Sequence, residues 1–114
     1  MSDFSGVIDD GERNVIIKLF DCYADSLTGH QRDIMELYYN EDLSLAEIAD
    51  NSGVTRQGVF AAISQSKRKL KKLEQKYGFV KKTESIRALA EKILQADTNG
   101  DVKNAAREIV KILD

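Results

Sequence analysis

The sequence predicts an all-α protein. Proline is absent, 32% of the residues are charged, and apolar side chains return every three or four positions in one segment after another. Without proline no helix loses an amide donor, and with so much charge each helix can turn a polar face to water. At 114 residues the chain can bury one core, or build a small module with an appended arm, and is too short for two large domains.

The elements follow in order. Val15, Ile16, Leu19, Phe20 and Tyr23 place a first amphipathic helix over residues 12–25, with Asp9 or Asp10 as its cap. Thr28 followed by Gln31 is a capping box, and Ile34, Leu37 and Tyr38 carry a second helix to about Tyr39. Ser44 and Glu47 repeat the box for a short third helix ending near Asn51. In "NSGV" the chain turns, because Gly53 can adopt the left-handed conformation that closes a helix; Thr55 then caps the next one. Val59, Ile63, Leu70, Leu73 and Tyr77, with Ser66 filling the gap, predict one continuous helix over residues 56–77. Such a helix is about 33 Å long, more than a three-helix core covers.

Gly78 stops that helix and "YGFVKKT" reads as a connector, with Thr83 opening a fifth helix. Ile86, Leu89, Ala90, Ile93 and Leu94 define one face of it; Val102, Ala105, Ile109, Ile112 and Leu113 define one face of a sixth. "DTNGD" joins the two as a tight turn with Asp101 as N-cap. Small residues at Ala90, Ala105 and Ala106 let the pair approach closely as a helical hairpin. Its apolar stripe needs a third surface, supplied by the long helix or by a second subunit.

Charge is partitioned unevenly. Residues 1–55 hold 3 basic and 12 acidic side chains, residues 56–82 hold 9 and 1, and residues 83–114 hold 5 and 6. The balances are therefore −9, +8 and −1 within a chain of formal net charge −2. A concentrated positive block is the footprint of a polyanion-binding surface; it is equally compatible with a solvated helix flank that pairs with the acidic segment.

A short helix, a glycine turn and a second helix capped by threonine form the helix-turn-helix layout, whose second helix lies along the major groove of DNA. Ala49 is small where the two helices cross, Ile48 and Val54 cover the junction, and Val59 and Ile63 anchor the second helix. Arg56, Gln57, Phe60, Ala61 and Ser64 are left on the outer face, and "KRKLKK" follows in register.

Residues 27–70, "LTGHQRDIMELYYNEDLSLAEIADNSGVTRQGVFAAISQSKRKL", resemble the C-terminal helix-turn-helix of bacterial sigma factors, which reads the upstream promoter element. With the acidic N-terminal helix and the C-terminal hairpin included, the whole chain is similar to the YlxM family of small Firmicute proteins. That resemblance implies an all-helical, wingless, sigma-like fold and a gene beside those for the signal recognition particle GTPase and its receptor. It also implies a regulatory role in the signal recognition particle pathway. On this reading residues 1–82 form the sigma-like domain, and residues 83–114 form a hairpin that packs on it or at a dimer interface.

The departures from sigma factors bear on what is read. Positions equivalent to Phe60, Ala62 and Gln65 usually include lysine or arginine that touch DNA, and here two of the three are apolar. Only Arg56, Gln57 and Gln65 remain to make bidentate bonds to base edges, each worth about 1–3 kcal/mol of discrimination. Lys67, Arg68, Lys69, Lys71, Lys72 and Lys76 keep the capacity for salt-sensitive phosphate contact. The expected nucleic-acid surface thus comprises Thr55, Arg56, Gln57, Phe60, Ser64, Gln65 and those six cations. Phe60 has three open roles: stacking on an unpaired RNA base, seating in a protein groove, or ordinary core packing.

Other chemistries are not expected. One histidine, His30, on a helix's exposed first turn, and one cysteine, Cys22, packed with Leu19 and Tyr23, cannot form a zinc site or a disulfide. Asp97, Asn99, Asp101 and Glu108 take the first, third, fifth and twelfth places of an EF-hand loop, but Val102 stands where the turn requires glycine. No phosphate loop or nucleophile elbow is present, so neither an enzyme nor a cofactor is expected. The acidic start lacks a signal-peptide core, and the longest apolar run is Val59 to Ile63, far short of the roughly 20 residues of a spanning helix. A cytoplasmic protein is expected, with DNA or RNA as partner and with signal recognition particle components and a homodimer as further partners. The alternative is an adaptor that reuses the fold to dock a GTPase or a second copy.

Overall fold

The computed structural model describes residues 10–96 and 99–114. Their regular structure is entirely helical, with no strand among the described residues, and the chain divides into two compact units between Tyr77 and Gly78.

In the first unit a 3-10 turn, Asp10–Glu12, leads into α1, Arg13–Tyr23. A second 3-10 turn, Ala24–Ser26, precedes α2, Gly29–Met35, which widens into a π-helical stretch over Glu36–Asn40. Then come α3, Leu45–Ser52, and α4, Arg56–Tyr77. The sequence signals for α2 and α3 are realised as reciprocal caps. Thr28 and Gln31 exchange bonds of 3.1 Å, and Ser44 and Glu47 exchange bonds of 2.9 and 3.1 Å.

α4 packs against α1, α2 and α3 in turn, so it is the central mast of this unit. Ile16, Ile34, Met35, Ile48, Val59, Ile63 and Leu70 are fully buried around it. Ser66, the polar residue in the apolar series, is also fully buried; its Oγ donates to the Ala62 carbonyl at 2.7 Å, so no polar atom is left bare. The apolar series is otherwise trimmed at its far end. Leu73 is half-buried and Tyr77 is 41% exposed, because the three short helices do not reach the last turn of α4.

The second unit is a hairpin of α5, Phe79–Gln95, and α6, Gly100–Leu113. Ala90 and Ala106, each 1% exposed, are its buried residues, as small residues at a helix crossing should be. Arg87 closes the open end by an ion pair of 2.7 Å with Asp114.

Several expectations need correction. Gly78 adopts φ 64°, but the chain re-enters a helix at once, so Phe79 to Lys82 is helical; Thr83 lies inside α5 and donates back to the Val80 carbonyl at 3.0 Å. The cap of α6 is Asn99, whose side chain accepts from the Val102 amide at 2.9 Å, and Asp101 sits in the first turn. α1 has no side-chain cap from Glu12, and Asp9, like Asp97 of the calcium-loop comparison, lies outside the described residues. Val15 is 54% exposed because Ile16 takes the inward position. Cys22 is exposed rather than packed, and its thiol pKa is raised, first by partial burial and then by the charge of Glu74. In the hairpin each expected apolar face is split: Ala90, Leu94, Ile109 and Leu113 are buried or half-buried, while Ile86, Leu89, Ile93, Val102, Ala105 and Ile112 stay exposed.

Candidate nucleic-acid interface

The turn between α3 and α4 is set locally. Gly53 stands at φ 72°, a conformation that costs other L-residues roughly 1–2 kcal/mol, and its amide closes α3 on the Ala49 carbonyl at 3.0 Å. The Thr55 hydroxyl accepts from the Gly58 amide at 2.9 Å and so holds the first turn of α4. Ile48 and Val59 are fully buried beneath the turn and Val54 is half-buried, which fixes the angle between the two helices.

At 100° per residue, burying Val59, Ala62, Ile63, Ser66 and Leu70 forces Gln57, Ala61, Ser64, Gln65, Arg68 and Lys72 onto the outer side of α4. Arg56, Gln57, Ala61 and Gln65 are exposed; Phe60 and Ser64 are half-buried on one flank. Ala62, read as an outward position by analogy with sigma factors, is 7% exposed and belongs to the core, since it lies one turn from both Val59 and Ser66.

The six cations divide into two groups. Lys67 and Lys71 lie on the flank that faces the start of α1, and both bond to Glu12: Lys67 at 2.7 Å, Lys71 in a short contact. Lys67 is drawn in until only 14% of its side chain is exposed. The two ammonium groups, Lys67's hydrogen bond first and Lys71's second, hold the Glu12 carboxyl below the usual carboxylate range against the opposing effect of its burial. Arg68, Lys69 and Lys72 on the outer and opposite sides are exposed and make no ion pair among the described residues. Lys76 lies 5.3 Å from the Tyr77 ring.

Arg13 supports the module from below. Its guanidinium donates to the Tyr38 and Tyr39 carbonyls at 3.1 and 2.9 Å and to Asp42 Oδ1 at 2.6 Å, and lies 5.7 and 5.2 Å from the two tyrosine rings. Those carbonyls belong to the end of a helix, where in-chain donors run out. Asp42, at φ 61°, turns the chain toward α3. Burial first, then the neighbouring charges of Tyr38 and Glu12, push the Tyr39 phenol far above its usual range. A cleft of about 330 Å³ opens beside this turn, with Arg13 and Arg56, Asp42 and Glu47 on its walls. At the far end of α4, the Tyr23 hydroxyl donates to Glu74 Oε1 at 2.7 Å, giving a structural task to the lone acid of the basic block.

Glu12, Arg13 and Glu74 were not singled out from the sequence. A signal existed for two of them: Arg13 is one of three basic residues in the first 55, and Glu74 is the single acid among residues 56–82.

A short helix, a left-handed glycine turn and a long threonine-capped helix with an exposed outer face define a helix-turn-helix protein. Residues 11–110 match the family UPF0122, described as "Putative helix-turn-helix protein, YlxM / p13 like", and the chain belongs to this family. A UPF0122 protein of Symbiobacterium thermophilum is 38% identical over 97 residues, covering 85% of this chain and 91% of the relative. One of Shouchella clausii is 37% identical over 92 residues, covering 81% and 84%. One of Acetivibrio thermocellus is 37% identical over 95 residues, covering 83% and 81%. Among the described residues no group of histidine, cysteine and acidic side chains is arranged to hold a metal, and no helix is long and apolar enough to cross a membrane.

Proposed function

We propose that this protein binds nucleic acid through the outer side of α4, by phosphate contact and shape more than by base reading. The observation that carries this is the row of exposed Gln57, Gln65, Arg68 and Lys72 along the outer side of one rod, flanked by exposed Arg56 on one side and exposed Lys69 on the other. Counterion release from such contacts makes affinity fall steeply with salt. Thr55 positions the start of the helix, and Ser64 and Phe60 border the contact. Lys67, Lys71 and Lys76 add to it where their present partners release them. The resemblance to YlxM proteins adds the biological setting: regulation in the signal recognition particle pathway, through its RNA or its genes.

The test is titration of labelled duplex DNA and hairpin RNA across a salt series. Wild type should bind with a strongly negative salt slope, and the triple variant Arg68→Glu, Lys69→Glu, Lys72→Glu should not bind. Unchanged binding in that variant overturns the proposal.

The pairing of Lys67 and Lys71 with Glu12 favours a second reading, an adaptor that docks a GTPase, because it neutralises two of the cations on that flank. A single stoichiometric protein recovered from extract after nuclease treatment supports the adaptor over the nucleic-acid binder.

A further inference from the structure

The hairpin exposes a continuous apolar face. Ile86, Leu89 and Ile93 of α5 are 46%, 61% and 36% exposed, and Val102 and Ile112 of α6 are 41% and 81% exposed. Each stands one residue ahead of a position turned toward the other helix. Ile86, Leu89 and Ile93 precede half-buried Arg87, buried Ala90 and half-buried Leu94; Val102 and Ile112 precede half-buried Lys103 and Leu113. Exposed Ala105 and half-buried Ile109 precede buried Ala106 and half-buried Val110 in the same way. One residue is 100° of rotation, and because the two helices run antiparallel, the same rotation carries both stripes to one side of the hairpin. The result is a single surface two helices wide.

Its borders are charged in opposite senses. Lys92 lies on the outer edge of α5, and Asp101 and Glu108 lie on the outer edge of α6. None of the three has an ion pair among the described residues.

We infer that this face is the seat of a second copy of the same chain, docked about a two-fold axis parallel to the helices. This goes beyond the nucleic-acid reading and does not depend on it. Such an axis lays α5 of one copy across α6 of the other, joining the two stripes into a four-helix core. With the two buried alanines, Ala90 and Ala106, set at one level of the antiparallel pair, Lys92 falls between the levels of the partner's Asp101 and the partner's Glu108. A patch with one basic and one acidic border is complementary to itself, as a two-fold interface requires. A partner of uniform charge would meet a like charge on one border. The dimensions also suit: helices of 17 and 14 residues side by side form a face about 20 Å wide and at least about 21 Å long, on the order of several hundred Å² per copy. Segment 83–114 is close to neutral, with 5 basic and 6 acidic residues, so two copies do not repel there.

The experiment is sedimentation of the full chain without nucleic acid, over low to high micromolar concentration, with helicity followed by circular dichroism. Wild type should be a dimer, and Leu89→Lys with Ile112→Lys should be a monomer of unchanged helicity, since both side chains are exposed in the isolated chain. Lys92→Glu should weaken association about tenfold, through lost attraction at two symmetric sites. Adding Asp101→Lys and Glu108→Lys to it should restore association. A monomeric wild type, a persistent dimer in the Leu89/Ile112 variant, or failure of the charge exchange to restore association overturns the inference.

Discussion

Glu12 accepts from two lysines of α4, and this single carboxylate couples acid response to the candidate interface. Its pKa is lowered on folding, so its contribution is present above the unfolded value of about 4.3 and is lost as pH falls through the folded one. Glu12→Gln should therefore lower stability by about 1 kcal/mol at neutral pH, and the difference from wild type should vanish in strong acid, as read by urea unfolding at both pH values. The same variant should bind duplex DNA more tightly, with a salt slope steeper by up to about 1.8 if both ammonium groups reach phosphates. Arg13→Ala removes charged hydrogen bonds to two helix-end carbonyls and Asp42, and should lower unfolding free energy by about 2 kcal/mol or more. Arg13→Lys should recover only part of that, because an ammonium cannot lie flat on the rings and reach all three oxygens. The roles of these two residues were not legible in the sequence, although Arg13 stood out as a rare basic residue: both sit where an amphipathic pattern starts, and their partners lie 25 to 59 positions away.

The turn of the helix-turn-helix was legible because its causes are local. Glycine at φ 72°, the Thr55 cap and the two reciprocal boxes each involve residues within a few positions. Thr55→Ala should destabilise by about 1 kcal/mol and Gly53→Ala by roughly 1–2 kcal/mol, both measurable by thermal or urea unfolding. The hairpin was half legible. Ala90 and Ala106 are buried as small residues at a close approach should be, and Ile86, Leu89 and Ile93 stay exposed as a stripe in need of a third surface; Ala105, grouped with the close-approach residues, is exposed instead, since hydrophobicity marks a residue whether it is covered or not. The choice between neighbouring rotations is made by which side chains let two helices touch, and alanine wins there over isoleucine. Accordingly Ala106→Leu should overpack the hairpin and cost about 1–3 kcal/mol, while Ala105→Leu, on the exposed side, should be nearly neutral; melting curves of the two variants distinguish them.

For the chain as a whole, the all-helical class and the concentration of positive charge in residues 56–82 could be read directly from composition. How that charge is shared out could not, because Glu12 reaches it only after α1 has packed on α4. The ion pairs at Glu12 also set up a competition: a phosphate strand that claims Lys67 and Lys71 must displace the turn that leads into α1. By linkage, whatever that displacement takes from the ligand's affinity, the ligand takes equally from the docking of the turn. Hydrogen exchange at residues 11–13 should accordingly quicken when nucleic acid is added, making the amino-terminal segment an internal gauge of occupancy at a surface it does not itself form.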